Sequence, residues 1–186
     1  MFIQTEATPN PETLKFLPGL QVLPHGTANF PSVEEAAISP LALRLFDIDG
    51  VSEVFLGGDF ISVSKQGGDW AHLKPMILGA IMEHFTAGLP VLNDDAGEAA
   101  GESGPVFEEA DREIVEQISE LIETRVRPVV AQDGGDITFH GFKTGVVYLH
   151  MQGACAGCPS STMTLKNGIE RMLQHYVPEV VEVQQV

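Results

Sequence analysis

Two cysteines, Cys155 and Cys158, stand in the stretch "HMQGACAGCPSSTMT" (residues 150–164), and the chain of 186 residues holds no others. A C-x-x-C pair brings two sulfurs close enough to share one metal or to close one disulfide. Gly153, Ala154, Ala156 and Gly157 surround the pair with almost no side-chain bulk, which leaves room for an inorganic cluster or a partner backbone. Pro159 follows at once and suits the first position of a helix. The unpaired amide N–H groups of that helix start are expected to face the thiols and to lower their pKa, favouring the thiolate that binds metal or attacks disulfides.

The pair is compatible with four chemistries. It reads as two buried, unreactive thiols; as a thioredoxin-like dithiol–disulfide centre at a strand-to-helix junction; as half of a structural zinc site; or as part of an iron–sulfur centre. The redox reading is weakened because Pro follows the second cysteine and no Trp precedes the first. Zinc needs two further nitrogen or sulfur ligands, for which His150 and His140 are the candidates. A cubane cluster takes four cysteine thiolates. One chain supplies half of them, and a twofold dimer that sets the same loop from each subunit across its axis supplies the rest. A cluster held that way is released when chains part or thiolates exchange, which suits a carrier.

The elements that must position this loop are legible from periodicity. After Asp111, an expected N-cap, apolar residues at Ile114, Ile118, Leu121, Ile122, Val126 and Val129 mark one face of a helix. Pro128 is expected to bend or shorten its last turn. Asp133-Gly134-Gly135-Asp136 stops the helix, and Ile137 to Phe142 and Val146 to Met151 then form a hairpin through Lys143-Thr144-Gly145. Beyond the cysteines, Leu165, Ile169, Met172, Leu173 and Tyr176 define a second helix, and Val180, Val181 and Val183 a third strand. The order is α-β-β-α-β, a small sheet with helices on one face.

Upstream, an extended piece (Phe2 to Thr5) leads through "TPNPETLKFLPG" to a short helix, Leu41 to Phe46. A hairpin follows, Val51 to Leu56 and Phe60 to Ser64 around Gly57-Gly58-Asp59. Trp70 to Phe85 is a helix buried through Trp70, Leu73, Ile77, Ala80 or Ile81, and His84 or Phe85. Between the halves, "NDDAGEAAGESGP" (93–105) has no large apolar side chain to offset the entropy of ordering. The expected organisation is therefore α+β throughout: two small α+β domains, 1–90 and 106–186, joined by a flexible acidic, Gly-rich linker at 91–105.

Lys and Arg number 10 against 26 Asp and Glu, a net charge of −16 that repels phosphate backbones and speaks against nucleic acid as partner. The acidity is spread over both halves and reads as a solubility feature rather than a binding face. No apolar run approaches the roughly 20 residues that cross a bilayer, so no membrane partner is expected. The N-terminus "MFIQTE" carries neither a basic signal region nor an Arg-rich transit pattern. That favours a bacterial cytoplasm, although the mature form of an organelle protein with its leader removed would look identical.

Three stretches resemble the NifU-like C-terminal domain of Nfu-type iron–sulfur proteins: "RPVVAQDGGDITFHGF" (127–142), "GVVYLHMQGACAGCPSSTMTLKNGIERML" (145–173) and "VPEVVEV" (177–183). G-x-C-x-G-C-P-S-S is the specific element. "TEATPNPETLKFLPG", "SPLALRLFDIDGVSEVFLGGDFISVSK" and Trp70-x-x-Leu73-Lys74-Pro75 are similar to the Nfu N-terminal domain. The resemblance implies a scaffold or carrier, not an enzyme. It implies a [4Fe–4S] cluster bound between two subunits through Cys155 and Cys158. The cluster would pass to apo iron–sulfur proteins such as lipoyl synthase or aconitase-type enzymes, with the N-terminal domain helping to recognise them. Asp133, Gly134, Gly135 and Asp136 match the family motif and are read as turn and cap residues. Lys166 is read as a solvated surface lysine. The alternative function is a thioredoxin-like oxidoreductase working through a Cys155–Cys158 disulfide.

Overall fold

The computed structural model describes residues 1–94, 105–156 and 159–186, the side chains of 159–161 excepted. Most of the expected linker and the second cysteine, Cys158, thus lie outside the described residues. The chain divides into two units, Met1–Gly101 and Glu102–Val186, both of mixed α+β structure.

In the first unit, β1 (Gln4–Ala7), β2 (Thr13–Leu17), β3 (Ala28–Phe30), β4 (Val51–Leu56) and β5 (Ile61–Lys65) form an antiparallel sheet in the order β1-β2-β5-β4-β3. Alternate residues Phe16, Val54, Leu56, Ile61 and Val63 share a core with Leu41, Ala42 and Leu45 of α1 (Pro40–Phe46) and with Leu73, Ile77 and Ile81 of α2 (Trp70–Thr86). Each helix start is capped: Ala42 N–H donates to Ser39 Oγ at 3.1 Å, and Ala71 N–H to Asp69 Oδ1 at 3.1 Å.

Strands β2 and β3 escape the sequence reading. The prolines before β2 fall in its turn, where Thr8 Oγ1 sits 2.8 Å from Asn10 O and Glu12 N–H donates to Asn10 Oδ1 at 3.0 Å. Three-residue β3 is too short to display an alternation. After α2 the chain folds back on its own unit. Ser39 Oγ donates to Val91 O at 2.6 Å, His84 Nε2 lies 3.0 Å from Pro90 O, and Asn93 N–H donates to Ile38 O at 2.8 Å. Val91 and Leu92 pack on the core.

The second unit has the expected order. Helix α3 (Arg112–Leu121) runs through a π-helical turn, Ile122–Val126, into α4 (Arg127–Gln132); then come β6 (Gly135–Lys143), β7 (Val146–Gly153), α5 (Pro159–Tyr176) and β8 (Glu182–Gln185). β6 and β7 pair antiparallel, and β8 joins β7 in parallel, α5 serving as the crossover such a pair requires. The hairpin turn places Thr144 at φ 49° and Gly145 at φ 82°, the two left-handed residues of a type I′ turn. Ile118, Ile122, Val130, Ile137, Val147, Leu149, Leu173 and Val183 lie at the centre of the core.

Two residues of the expected apolar faces are corrected. Val129 is 56% exposed and Val130 buried in its place. Proline 128 has no N–H to give, and Arg127 N–H reaches Ile122 O across the wider π turn, so the helix phase slips before Val129. Tyr176 is 47% exposed; its ring lies 5.0 Å beneath the Arg125 guanidinium, a cation–π contact that needs no burial. Asp111 holds the N-cap position of α3 without a side-chain capping bond.

Candidate functional site

The loop after β7 is built around Cys155, which is 6% exposed. Gly153 turns the chain at φ 63°, Ala154 N–H donates to Gly134 O at 3.2 Å, and Thr162 Oγ1 of α5 donates to Cys155 O at 3.0 Å. The facing wall is backbone. A Cβ on Gly135 would stand 2.5 Å from Cys155 Sγ, 2.8 Å from Gln152 O and 2.9 Å from Cys155 N. Only glycine permits that approach. The D-G-G-D run is thus a seat for the thiol: Asp133 ends α4, Gly134 makes the turn at φ 81°, and Gly135 supplies the surface.

Asp136 completes it. Its carboxylate, 3% exposed, accepts from Arg127 Nε at 2.8 Å and Nη2 at 2.7 Å, and from Ile137 N–H at 2.8 Å. Arg127 Nη1 donates outward to Glu123 Oε1 at 2.7 Å. The fork keeps the guanidinium firmly protonated, the Asp136 hydrogen bond being the main cause.

The expected lowering of the thiol pKa is overturned at Cys155. Burial pushes the thiol up to about 12, and the nearby carboxylates of Asp133 and Asp136 add to the rise. A helix start offers partial positive charge, but here burial and the negative field of two carboxylates outweigh it, so the neutral thiol is favoured. The two histidines considered for zinc lie on β6 and β7. His150 Nδ1 lies 3.1 Å from Val186 O at the chain end, and His140 sits at the irregularity in β6 between Phe139 and Gly141. Among the described residues, no group of three or more His, Cys, Asp or Glu is disposed to hold a metal. Lys166 is paired with Glu182 at 3.9 Å. Glu182 is level with Val146, the end of β7 remote from Cys155, so the partner of this lysine lies away from the cysteine loop.

Sequence reasoning missed Arg127 and the direct role of Gly135. The signal available was the pairing of D-G-G-D with the small-residue loop: two glycine-rich segments on neighbouring strands mark a close backbone approach.

Comparison with known proteins agrees with this layout. Residues 3–88 match the family model "Scaffold protein Nfu/NifU N terminal", and residues 118–184 match "NifU-like domain". The chain is 54% identical over 188 residues to the Drosophila sechellia protein named "NFU1 iron-sulfur cluster scaffold homolog, mitochondrial", covering 100% of this chain and 65% of that protein. The Homo sapiens protein of the same name is 51% identical over 188 residues, with 100% of this chain and 72% of that protein covered. The chain therefore spans about two thirds of the length of such relatives. Among solved structures, the solution structure of a NifU-like protein from Saccharomyces cerevisiae aligns at TM-score 0.46 and 27% identity, over 50% of this chain and 86% of that one. With the two domain models in sequence order and that degree of identity along its whole length, the chain belongs to the Nfu family, its NifU-like domain carrying Cys155 and Cys158.

Proposed function

We propose that this protein is a scaffold and carrier for an iron–sulfur cluster. It holds a [4Fe–4S] cluster on Cys155 and Cys158 between two subunits and passes it to apo-proteins. The cluster is cargo, and no covalent bond of an organic substrate is cut, so the protein is not an enzyme. The observation that carries the reading is the seat at Cys155: a thiol set against bare glycine backbone in a family whose relatives are named cluster scaffolds. The donor set is thiol alone, which suits iron–sulfur chemistry.

Ligand supply argues for a dimer, since one chain provides two sulfurs and a cubane takes four. Release follows from protonation. Iron must displace the Cys155 proton to bind, and a thiol that holds its proton strongly gains it back when a target thiolate takes over the iron. The same property disfavours the dithiol oxidoreductase, which needs an attacking thiolate near neutral pH. The relatives' names place them in mitochondria, and we assign this chain to the same setting in preference to a bacterial cytoplasm.

Anaerobic reconstitution followed by iron and sulfide assay and sedimentation tests the proposal. About four iron and four sulfide per dimer are expected, with the colour absent in Cys155→Ser and in Cys158→Ser. A full cluster on a single chain, or unchanged iron in both variants, refutes it.

A further inference from the structure

The pairing of Arg127 with Asp136 lies one residue from the Gly135 wall and has no part in ligation. Gly134 and Gly135 bear no side chain, so the backbone on which Cys155 rests is held by main-chain bonds alone, Gly134 N–H to Ala131 O at 3.1 Å, Ala154 N–H to Gly134 O at 3.2 Å and the pairing of Gly135 with Gly153, and glycine backbone has the most freedom to lose. Side-chain restraint comes from the flanks. On one side Asp133 ends α4; on the other the Asp136 carboxylate is gripped through both oxygens by Arg127. Two parallel N–H···O bonds fix orientation as well as distance. Arg127 follows directly on the π turn, a geometry frequent at functional sites. The turn's extra residue sends Arg127 to β6 while Val126 and Val130 stay in the core. Stability alone is a weak reason for such a pair, since apolar replacements of buried ion pairs often fold as well.

We propose that Arg127 is a positioning residue for the cysteine site: its two-pronged grip on Asp136 fixes the Gly134-Gly135 backbone against Cys155 and so sets how firmly iron is held there. The part concerning iron rests on the scaffold reading.

Arg127→Lys keeps the charge and loses the fork; Asp136→Asn, which keeps the shape and an acceptor for Ile137 N–H, is the second variant should the first not fold. Ile118→Val trims the α3 core of the same unit and serves as a control for lost stability. Two quantities are read on the full chain: amide hydrogen exchange at Ala154 and Cys155 in the metal-free protein, and the rate at which a chelator strips iron from the reconstituted dimer. Loss of the fork is expected to speed both about tenfold, while the control at equal loss of thermal midpoint changes neither by more than about twofold. Unchanged exchange at Ala154 in both fork variants, or equal acceleration in Ile118→Val, overturns the proposal. If the unmodified chain takes up no iron, the scaffold reading fails, and the exchange measurement still decides the role of Arg127.

Discussion

The two units bury polar groups for different ends. In the first, Ser39 and His84 are fully buried and hold the backbone carbonyls of Val91 and Pro90, and Lys15, 8% exposed, pairs at 3.4 Å with Glu6, which is 52% exposed. The first two contacts hold the segment after α2 to the start of α1 and to α2 itself, and the third joins the neighbouring strands β1 and β2. In the second, the buried carboxylate of Asp136 is paired with Arg127, and its charge helps to raise the pKa of the Cys155 thiol. The buried Lys15 is bound to a half-exposed partner, whereas the buried Asp136 is locked by a fork.

The contrast is broken most severely at Gly135. Gly135→Ala should cost the second unit about 3 kcal/mol, because the new methyl meets backbone and sulfur that cannot both retreat. Urea unfolding is expected to shift the second unit's transition and leave the first in place, with iron uptake lost. Next comes a matched pair of acids. Asp136→Asn should cost about 2–3 kcal/mol by leaving a partly buried guanidinium without its anion, whereas Glu6→Gln should cost under about 1 kcal/mol, its pair being open to solvent on one side. Equal losses from the two would erase the distinction drawn above.

A smaller effect separates the units by pH. Burial is the main cause that lowers the His84 pKa, with Arg44 assisting and the carbonyls of Pro90 and Leu89 opposing. The unfolded chain therefore takes up this proton first, at about 6.5, and the first unit should lose stability as pH falls below that value. Cys155 has the opposite sign. Its folded thiol keeps the proton while the unfolded one releases it near about 8.5, so the second unit should weaken as pH rises from there toward about 12. Thermal midpoints measured across that range, with His84→Gln and Cys155→Ser flattening one slope each, check both signs. Smallest of all, Gly79→Ala in α2 and Gly168→Ala in α5 meet nothing within 4 Å and should each raise stability by up to about 1 kcal/mol. A loss at either position would show that helical glycine, too, is reserved for close contact.

Periodicity made much of this fold legible. Of the expected α2 face, Leu73, Ile77, Ile81 and His84 are buried and Trp70 is partly so, and the hairpin through Lys143-Thr144-Gly145 stands as read, because both rest on local geometry that recurs every few residues. β2 was hidden by prolines that belong to its turn. Val129 was misplaced because a π turn is a response to Pro128 and to packing, which a fixed 3.6-residue period does not contain.

At the site, the amino-acid order alone determined the number of sulfurs, their spacing, the absence of bulk around them and the ligand deficit that follows. Those are counts, and a chain carries its counts unfolded. The protonation of Cys155, the apposition of Gly135 to its sulfur and the clamp of Arg127 on Asp136 were decided only when α4, β6 and the loop after β7 came together. Each depends on distances between separate elements brought together by folding, and on water being excluded between them.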